Sequence, residues 1–491
     1  MRAAMLLIAL SAAQAGVVSR DWENGKLTLR LDDGVAEIEW ISGTAFRFAH
    51  GLAAVPAVPE IKHDPVVTEF EDVRGTLILR GLYMTIEIDK ANAKVRVSAN
   101  SETISTLSAD GVGVHVTPLG KVFGLAGPGD SQRFFFTSGY GIFIRAPRDC
   151  TFDLSNGLVH APTAMDLIFY YGPTPKELFE QHQKVMGRIE ITEPSSDRLP
   201  SAATPLPDTP LDSWEALSQM VQTLNQWSLS AILYPGLNLS TLNGAKGEVG
   251  KRAADLAAMM PLLYGNSSHM ETREAWAPYL TTYLREAYDR GYPLIRPLPF
   301  EFSRDKNLDA QPDVFMLGDE VLLAPVVAPG EHRSLQLPRG HWTDLRTNIE
   351  YQGNQAIEVE APAGQVPTFA RNGAVFPLAS KKAMELHYFP SLGGEFFLWE
   401  PGPRANSQFH AAPAGDFTRV EIESQVERTY EWVIHHTGRP VSVVENGTSY
   451  KAVRQRSSLK LGTWWHDGAR NDLHVMVYAE AGADTIVNIS F

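Results

Sequence analysis

A chain of 491 residues has room for roughly two to four domains with separate cores. Hydrophobic residues make up 44% and charged residues 20%, a balance that excludes wholesale disorder, a collagen-like repeat and a coiled coil. The formal net charge of −14 is spread along the chain, which argues against a phosphate backbone as partner, so no nucleic acid is expected.

At the start, Arg2 precedes an apolar run from Ala3 to Ala13, and Ala13-Gln14-Ala15 forms an A-x-A cleavage signal. Residues 1–15 therefore read as a secretory signal peptide and predict export to a periplasm or the extracellular space. The alternative is an N-terminal helix or lipid-proximal anchor, but the run is shorter than the roughly 18 residues of a spanning helix. No membrane span is expected. Cys150 is the only cysteine, so an exported chain would have no internal disulfide. It lies in the strand-like stretch Arg148-Asp149-Cys150-Thr151-Phe152 and reads as a buried, inert thiol.

From Gly16 to Tyr171 the pattern is all-β. Leu27, Leu29 and Leu31 alternate with polar residues, as do the stretches Val35 to Trp40, Met84 to Ile88 and Val95 to Val97. Strands that bury one face each are satisfied by two packed sheets, and a β-sandwich is placed at 16–182. Thr174 can cap a following helix, with Pro175 in its first turn and Glu177 closing a capping box. The stretch Glu193 to Pro210 carries Pro194, Pro200, Pro205, Pro207 and Pro210 and reads as a linker rather than a strand.

Helical spacing returns at Leu217, Met220, Val221 and Leu224, capped by Ser213. Ala231 to Tyr234 reads as a short strand ended by Pro235-Gly236. Leu256, Met259, Met260 and Leu263 mark a second helix. Trp276, Tyr279, Leu280, Tyr283, Leu284 and Ala287 mark a third, followed by a strand over Pro293 to Leu298. Helices alternating with short apolar strands predict a parallel sheet within 183–312. Strand-rich sequence then resumes, and two further β-sandwiches are placed at 313–378 and 379–491.

The run from Tyr283 to Pro329 resembles the end of the catalytic barrel in glycoside hydrolase family 31, the α-glucosidase family. Tyr170-Tyr171-Gly172-Pro173-Thr174-Pro175-Lys176-Glu177-Leu178, Gly139-Tyr140-Gly141 and Val122-Phe123-Gly124-Leu125 resemble its N-terminal, galactose mutarotase-like sandwich. That last motif runs on as Ala126-Gly127 where the family has Gly-Glu. Gly340-His341-Trp342-Thr343-Asp344, Val366 to Gly373 and Leu386 to Glu400 resemble its two C-terminal sandwiches. The resemblance implies a (β/α)8 barrel, yet Gln183 to Asp313 is only about 130 residues, against about 250 for a complete barrel. The expected fold is therefore mainly β with an α/β remnant: an N-terminal β-sandwich, a truncated (β/α) barrel remnant and two C-terminal β-sandwiches. Its open sheet edges would need cover from the N-terminal sandwich, the proline linker, a second copy or a protein partner.

Retaining hydrolysis of a glycosidic bond needs two carboxyl groups about 5 Å apart. The family's nucleophile is an aspartate within Trp-x-Asp-Met-x-Glu. Among ten tryptophans only Trp342 with Asp344 and Trp465 with Asp467 have the spacing, and neither continues the motif. For the acid/base aspartate the nearest match is Asp208, which lacks the preceding glycine; a solvated linker carboxylate is its bland reading. The family's sugar-binding aspartate corresponds to Asn238, which can hydrogen-bond a hydroxyl but carries no charge. Arg252 keeps the arginine of an Arg-Trp pair whose tryptophan is Ala253. In Met260-Pro261-Leu262-Leu263-Tyr264-Gly265-Asn266-Ser267 the family's Arg and His are replaced, with His269 close enough to compensate or simply to be a loop histidine. Arg296, Glu301 and Asp305 match the family and read as a structural ion pair. No cluster has metal-ligand spacing and no cofactor is expected.

Two functions remain open. One is an exported, non-catalytic relative of the family that binds carbohydrate or a protein partner through exposed aromatics such as Trp399, Trp464 and Trp465, although such residues in a β-sandwich more often read as core than as a binding platform. The other is a working glycoside hydrolase using carboxylates from Asp208, Asp212, Glu248 or Asp255. A third possibility is an internal deletion product with no function.

Overall fold

The computed structural model describes residues 16–491 apart from 52–62, 110–112, 118–120, 147–149, 156, 161–163, 190, 192–194, 197–202, 266–270 and 403. The segment 1–15, read above as a signal peptide, lies outside the described residues. The chain divides at Gly187 into two compact units.

In the first unit, alternation sets the architecture. Leu27, Leu29 and Leu31 of Lys26–Leu31 are buried, as are Met84, Ile86 and Ile88 of Met84–Asp89. Neighbouring side chains in a strand point to opposite faces, so each strand contributes one face to a shared core. Two eight-stranded sheets enclose it. One is ordered Val17–Glu23, Lys26–Leu31, Gly34–Ser42, Ala45–Gly51, Ala164–Tyr171, Tyr140–Ala146, Phe134–Phe136, Phe123–Gly124. The other is ordered Thr151–Asp153, Leu158–His160, Gly113–Thr117, Glu102–Ala109, Val95–Ala99, Met84–Asp89, Thr76–Arg80, Glu69–Val73. Leu29, Ile38 and Phe46 from the first meet Leu77, Ile86 and Val97 from the second. Cys150 is half-buried against this core.

Helix α1 (Pro175–Met186) closes the unit with the expected capping box. The Thr174 hydroxyl accepts the Glu177 N–H at 3.4 Å, and the Thr174 N–H donates to the Glu177 carboxylate at 2.9 Å. Phe179 of this helix packs edge-on against Phe134 and Phe136 of the sheet.

The second unit holds the α/β part. Four strands run parallel in the order Ser195–Ser196, Leu262–Tyr264, Pro235–Asn238, Thr204–Pro205. The proline-rich stretch is thus more than a linker, because it supplies both outer strands. Two strands alone would leave backbone donors and acceptors unpaired on either side. Here the Thr204 N–H donates to the Tyr234 carbonyl at 2.9 Å and the Leu206 N–H to the Gly236 carbonyl at 2.8 Å. Pro205, without an N–H, is tolerated because it lies on the outermost strand.

Three local expectations are corrected. The strand expected over Ala231 to Tyr234 forms over Pro235–Asn238: Ala231, at φ +60°, turns the chain out of the preceding helix, and a proline can open a strand. The helix expected around Leu256 to Leu263 is α3 (Gly247–Ala257), which ends before Pro261, while Leu263 lies in the strand Leu262–Tyr264. Proline cannot supply the helical N–H and biases its predecessor away from the helix. The strand Ile295–Pro297 does not enter the parallel sheet but pairs antiparallel with Phe315–Leu317.

Helix α2 (Trp214–Leu229) begins where the Ser213 hydroxyl accepts the Ala216 N–H at 3.2 Å, and it buries Leu217, Met220, Val221 and Leu224. Helix α4 (Glu271–Arg290) buries Tyr279, Leu280, Tyr283, Leu284 and Ala287.

A six-stranded sheet follows, ordered Ile295–Pro297, Phe315–Leu317, Val321–Leu323, Thr368–Arg371, His341–Asp344, Glu350–Gln352. The pair His332–Gln336 and Ala356–Glu360 packs Leu335 and Val359 into its core beside Met316, Trp342 and Phe369. Two more six-stranded sheets complete the unit. One is ordered Val375–Ala379, Met384–Tyr388, Arg428–Ile434, Asp472–Ala479, Thr463–Asp467, Lys451–Ala452. The other is ordered Gly394–Glu400, Ala405–Ala414, Phe417–Ser424, Asp484–Ser490, Ser442–Glu445, Thr448–Ser449. Val375–Ala379, grouped by sequence with the proximal sandwich, pairs with Met384–Tyr388 of the distal one.

A buried histidine makes the distal sandwich sensitive to acid. His435 is 5% exposed; its Nδ1 lies 3.0 Å from Asp472 and its Nε2 3.0 Å from His387. Burial pushes its imidazole down to about 4, with Asp472 pulling the other way and His387 and His436 adding to the fall. As pH drops below about 6.5 the unfolded chain takes up this proton before the folded chain does. The contribution is therefore complete above about pH 6.5 and shrinks as pH falls toward 4, with a full size of about 3 kcal/mol. Urea unfolding at about pH 7 and pH 4.5 should show a smaller pH-dependent loss of stability in His435→Gln than in the unaltered protein. Equal losses would contradict the assignment.

Candidate functional site

Parallel strands gather their C-terminal ends at one edge, where α/β folds place binding and catalytic groups. Three side chains follow those ends here. Thr204–Pro205 leads into buried Leu206 and exposed Asp208, Pro235–Asn238 ends on Asn238, and Leu262–Tyr264 ends on Tyr264. The Asn238 side-chain amide oxygen accepts the Ser240 N–H at 3.0 Å, capping the short 3-10 helix Leu239–Leu242. Asn238 and Tyr264 are register partners on adjacent parallel strands, and Asp208 lies close enough to act electrostatically on the Tyr264 phenol. Burial raises the Tyr264 hydroxyl above its ordinary value, the Asp208 charge raises it further, and the Asn238 side chain opposes both. Gly265, at φ +89°, lets the chain leave the strand past Asn238; a Cβ there would stand 3.4 Å from the Asn238 side-chain amide oxygen.

Asp208, Asn238 and Tyr264 thus form one cluster containing a carboxylate, an amide and a phenol. Such a set offers donors and acceptors to hydroxyl groups. Retaining glycoside hydrolysis requires a second carboxyl group that it does not itself contain.

Residues 291–376 match the model of the glycosyl hydrolase family 31 C-terminal domain. Alpha-glucosidase 2 of Bacillus thermoamyloliquefaciens is 27% identical over 213 residues, covering 38% of this chain and 27% of that enzyme. A sulfoquinovosidase of Agrobacterium fabrum is 37% identical over 99 residues, covering 20% of this chain and 15% of its own. Among solved structures, the Flavobacterium johnsoniae family 31 dextranase superposes with a TM-score of 0.76 at 14% identity, covering 98% of this chain and 100% of that one. That dextranase has been captured with glucose, and in a mutant form with isomaltotriose. The chain is a glycoside hydrolase family 31-like protein. It covers little more than a quarter of the Bacillus relative, and the structural likeness, at so low an identity, is one of fold.

Against the family pattern, the cluster includes one residue that sequence reasoning undervalued. Tyr264 counted only as the loss of an arginine, whereas register sets it beside Asn238 and its phenol feels the Asp208 charge. The available signal was its position, a polar aromatic at the last residue of a parallel strand.

Arg252 is 3% exposed on α3 and commits its guanidinium elsewhere. It donates to the carbonyls of Pro362 and Gly330, each at 3.0 Å, to the Ala361 carbonyl, and to Glu248 at 3.3 Å. That fastens α3 to the loops of the proximal sandwich. His269 lies outside the described residues. Asp255 accepts the Gly364 N–H at 2.9 Å, and burial raises its carboxyl. Asp212 is exposed just ahead of the Ser213 cap. Arg296 and Glu301 form the structural ion network expected of them, and Asp305 caps the 3-10 helix Lys306–Ala310. Of the three tryptophans taken as exposed, Trp464 is 5% exposed and Trp465 packs beside His474, while Trp399 lines a cleft.

The cluster can be tested without a ligand. Asp208→Asn should shift the Tyr264 ionisation down toward its ordinary value in a near-ultraviolet pH titration, with Tyr264→Phe identifying the signal. An unshifted titration would separate Asp208 from the cluster.

Proposed function

We propose that this chain is an exported, catalytically silent relative of family 31 that binds carbohydrate at the strand ends of a truncated barrel. The observation that carries the reading is the gathering of Asp208, Asn238 and Tyr264 at the ends of neighbouring parallel strands, a cluster with one carboxylate where retaining hydrolysis needs a pair about 5 Å apart. Truncation is supported by the four-stranded parallel sheet, in a region of about 130 residues against about 250 for a full barrel. Export rests on Arg2, the apolar run after it and the Ala13-Gln14-Ala15 signal. Carbohydrate as the ligand class is supported by the glucose and isomaltotriose complexes of the dextranase it resembles. A second copy or protein partner would dock at the outer edges of Ser195–Ser196 and Thr204–Pro205.

A second reading, an active glycosidase, is favoured by the position of Asp208. Chemistry in (β/α) barrels sits at the strand ends, and Asp208 is an exposed carboxylate there. It would need a partner carboxyl, for which Asp212 is the nearest in sequence of those nominated. Glu248 is paired with Arg252 and Asp255 is bonded to the Gly364 N–H.

Assays of the purified protein against aryl α-glycosides should show no turnover that Asp208→Asn or Asp212→Asn removes. Calorimetric titration with isomaltotriose should show binding at the cluster, weakened roughly tenfold in Asn238→Ala. Turnover that disappears with either aspartate would replace this reading with the enzyme.

A further inference from the structure

The distal sandwich carries a second polar and aromatic surface, distinct from the strand-end cluster. Strand Gly394–Glu400 buries Phe396 and Leu398 and turns Glu395, Phe397 and Trp399 the other way, as alternation demands. Register places Gln408 opposite Phe397 and His410 opposite Glu395 on the neighbouring strand, so these side chains share one face. Helix α4 flanks the strand's free edge: the Trp399 N–H donates to the Thr282 hydroxyl at 3.1 Å, and Tyr279 and Tyr283 pack on Phe396. Between the helix and this face lies a cleft of about 450 Å³. That is within the usual range for small-ligand sites. A neighbouring hollow of about 430 Å³ continues from it past Glu395 and His410.

The chemistry of the cleft selects a ligand class. Arg285 grips Asp289 through two hydrogen bonds of 2.8 and 3.0 Å and lies 4.6 Å over the Trp399 ring. Glu286 and Asp319 are neutralised from beneath by buried Arg296. Burial, and then the adjacent Asp319 charge, push the Glu320 carboxyl up to about 8, so at neutral pH it is mainly protonated and can donate. Among the described residues, neither the Glu320 carboxyl nor the Gln408 amide has a hydrogen-bond or ion-pair partner. With Glu320 protonated and buried Arg296 counted, four carboxylates (Glu286, Asp289, Asp319 and Glu395) stand against three guanidiniums (Arg285, Arg290 and Arg296), which disfavours a strongly charged ligand. Directional donors and acceptors remain, beside Phe397, which is 49% exposed, and Trp399. Hydroxyls around an apolar ring face complement that combination.

We propose that this cleft is a second saccharide subsite, holding a neutral pyranose unit against Phe397 and Trp399 with Glu320 and Gln408 hydrogen-bonding its hydroxyls. It shares only its ligand class with the reading above, and the two sites can fail separately.

The test is calorimetric titration of the full chain with isomaltotriose in an Asn238→Ala background, in which strand-end binding is roughly tenfold weaker. Binding should persist there and weaken roughly tenfold on adding Phe397→Ala or Gln408→Ala, with unchanged thermal unfolding confirming that each variant folds. A flat titration in Asn238→Ala, or binding indifferent to both added substitutions, would overturn the subsite. So would displacement of the sugar by spermidine in a salt-dependent manner, which would mark a cation site instead. Loss of strand-end binding alone would leave this proposal standing.

Discussion

A single buried charge fixes the geometry of the second unit. Arg296 is fully enclosed, and a guanidinium removed from water is tolerated only when its hydrogens are matched. Its partners come from separate parts of the chain: Glu286 on α4, Asp319 in the turn after Phe315–Leu317, Glu301 at the end of the short helix Leu298–Glu301, and the Pro293 carbonyl. The Tyr283 and Tyr292 rings complete the enclosure, with centroids at 5.1 and 5.6 Å. Satisfying that one cation locks the C-terminal half of α4 against the strand Ile295–Pro297 and its sheet. Arg285 and Asp289 are consequently held at a fixed distance from Trp399, and the cleft is a by-product of that constraint.

A second constraint shapes the strand-end cluster. Backbone groups of a short parallel sheet must be paired, and the chain meets this demand by recruiting two-residue strands from a proline-rich stretch. The recruitment brings Asp208 to the end of the sheet, beside Asn238 and Tyr264. Asn238 is held by the Ser240 N–H, which donates to its side-chain oxygen, so its amide is oriented before any ligand arrives. Arg252 illustrates the opposite fate: its donors are spent on three carbonyls and Glu248, and it serves packing.

Much of this was legible in the sequence because it depends on local rules. The capping box at Thr174 and Glu177, the Ser213 cap and the strands around Leu29 and Ile86 follow from short-range patterns, and they formed as read. The run after Tyr283 pointed to the family. Long-range demands were illegible. Nothing in the composition of residues 193–210 announces strands, because their pairing is dictated by the Tyr234 and Gly236 carbonyls and by the strand Leu262–Tyr264, all of which lie beyond α2. The same applies to Tyr264, whose role depends on neighbours far away in sequence, and to Trp464, which burial removes from the surface.

These constraints leave a protein with a family 31 framework, a polar cluster at its strand ends and a mixed cleft on its distal sandwich. We propose that such a framework retains a saccharide without cleaving it. The most direct measurement is mass spectrometry of isomaltotriose after prolonged incubation with a stoichiometric amount of the protein in heavy-oxygen water. The account predicts that the trisaccharide is recovered at its original chain length. Glucose or isomaltose in place of the trisaccharide would contradict it, because shorter sugars arise only when a glycosidic bond has been broken, whereas label alone also enters an intact reducing end by exchange with water.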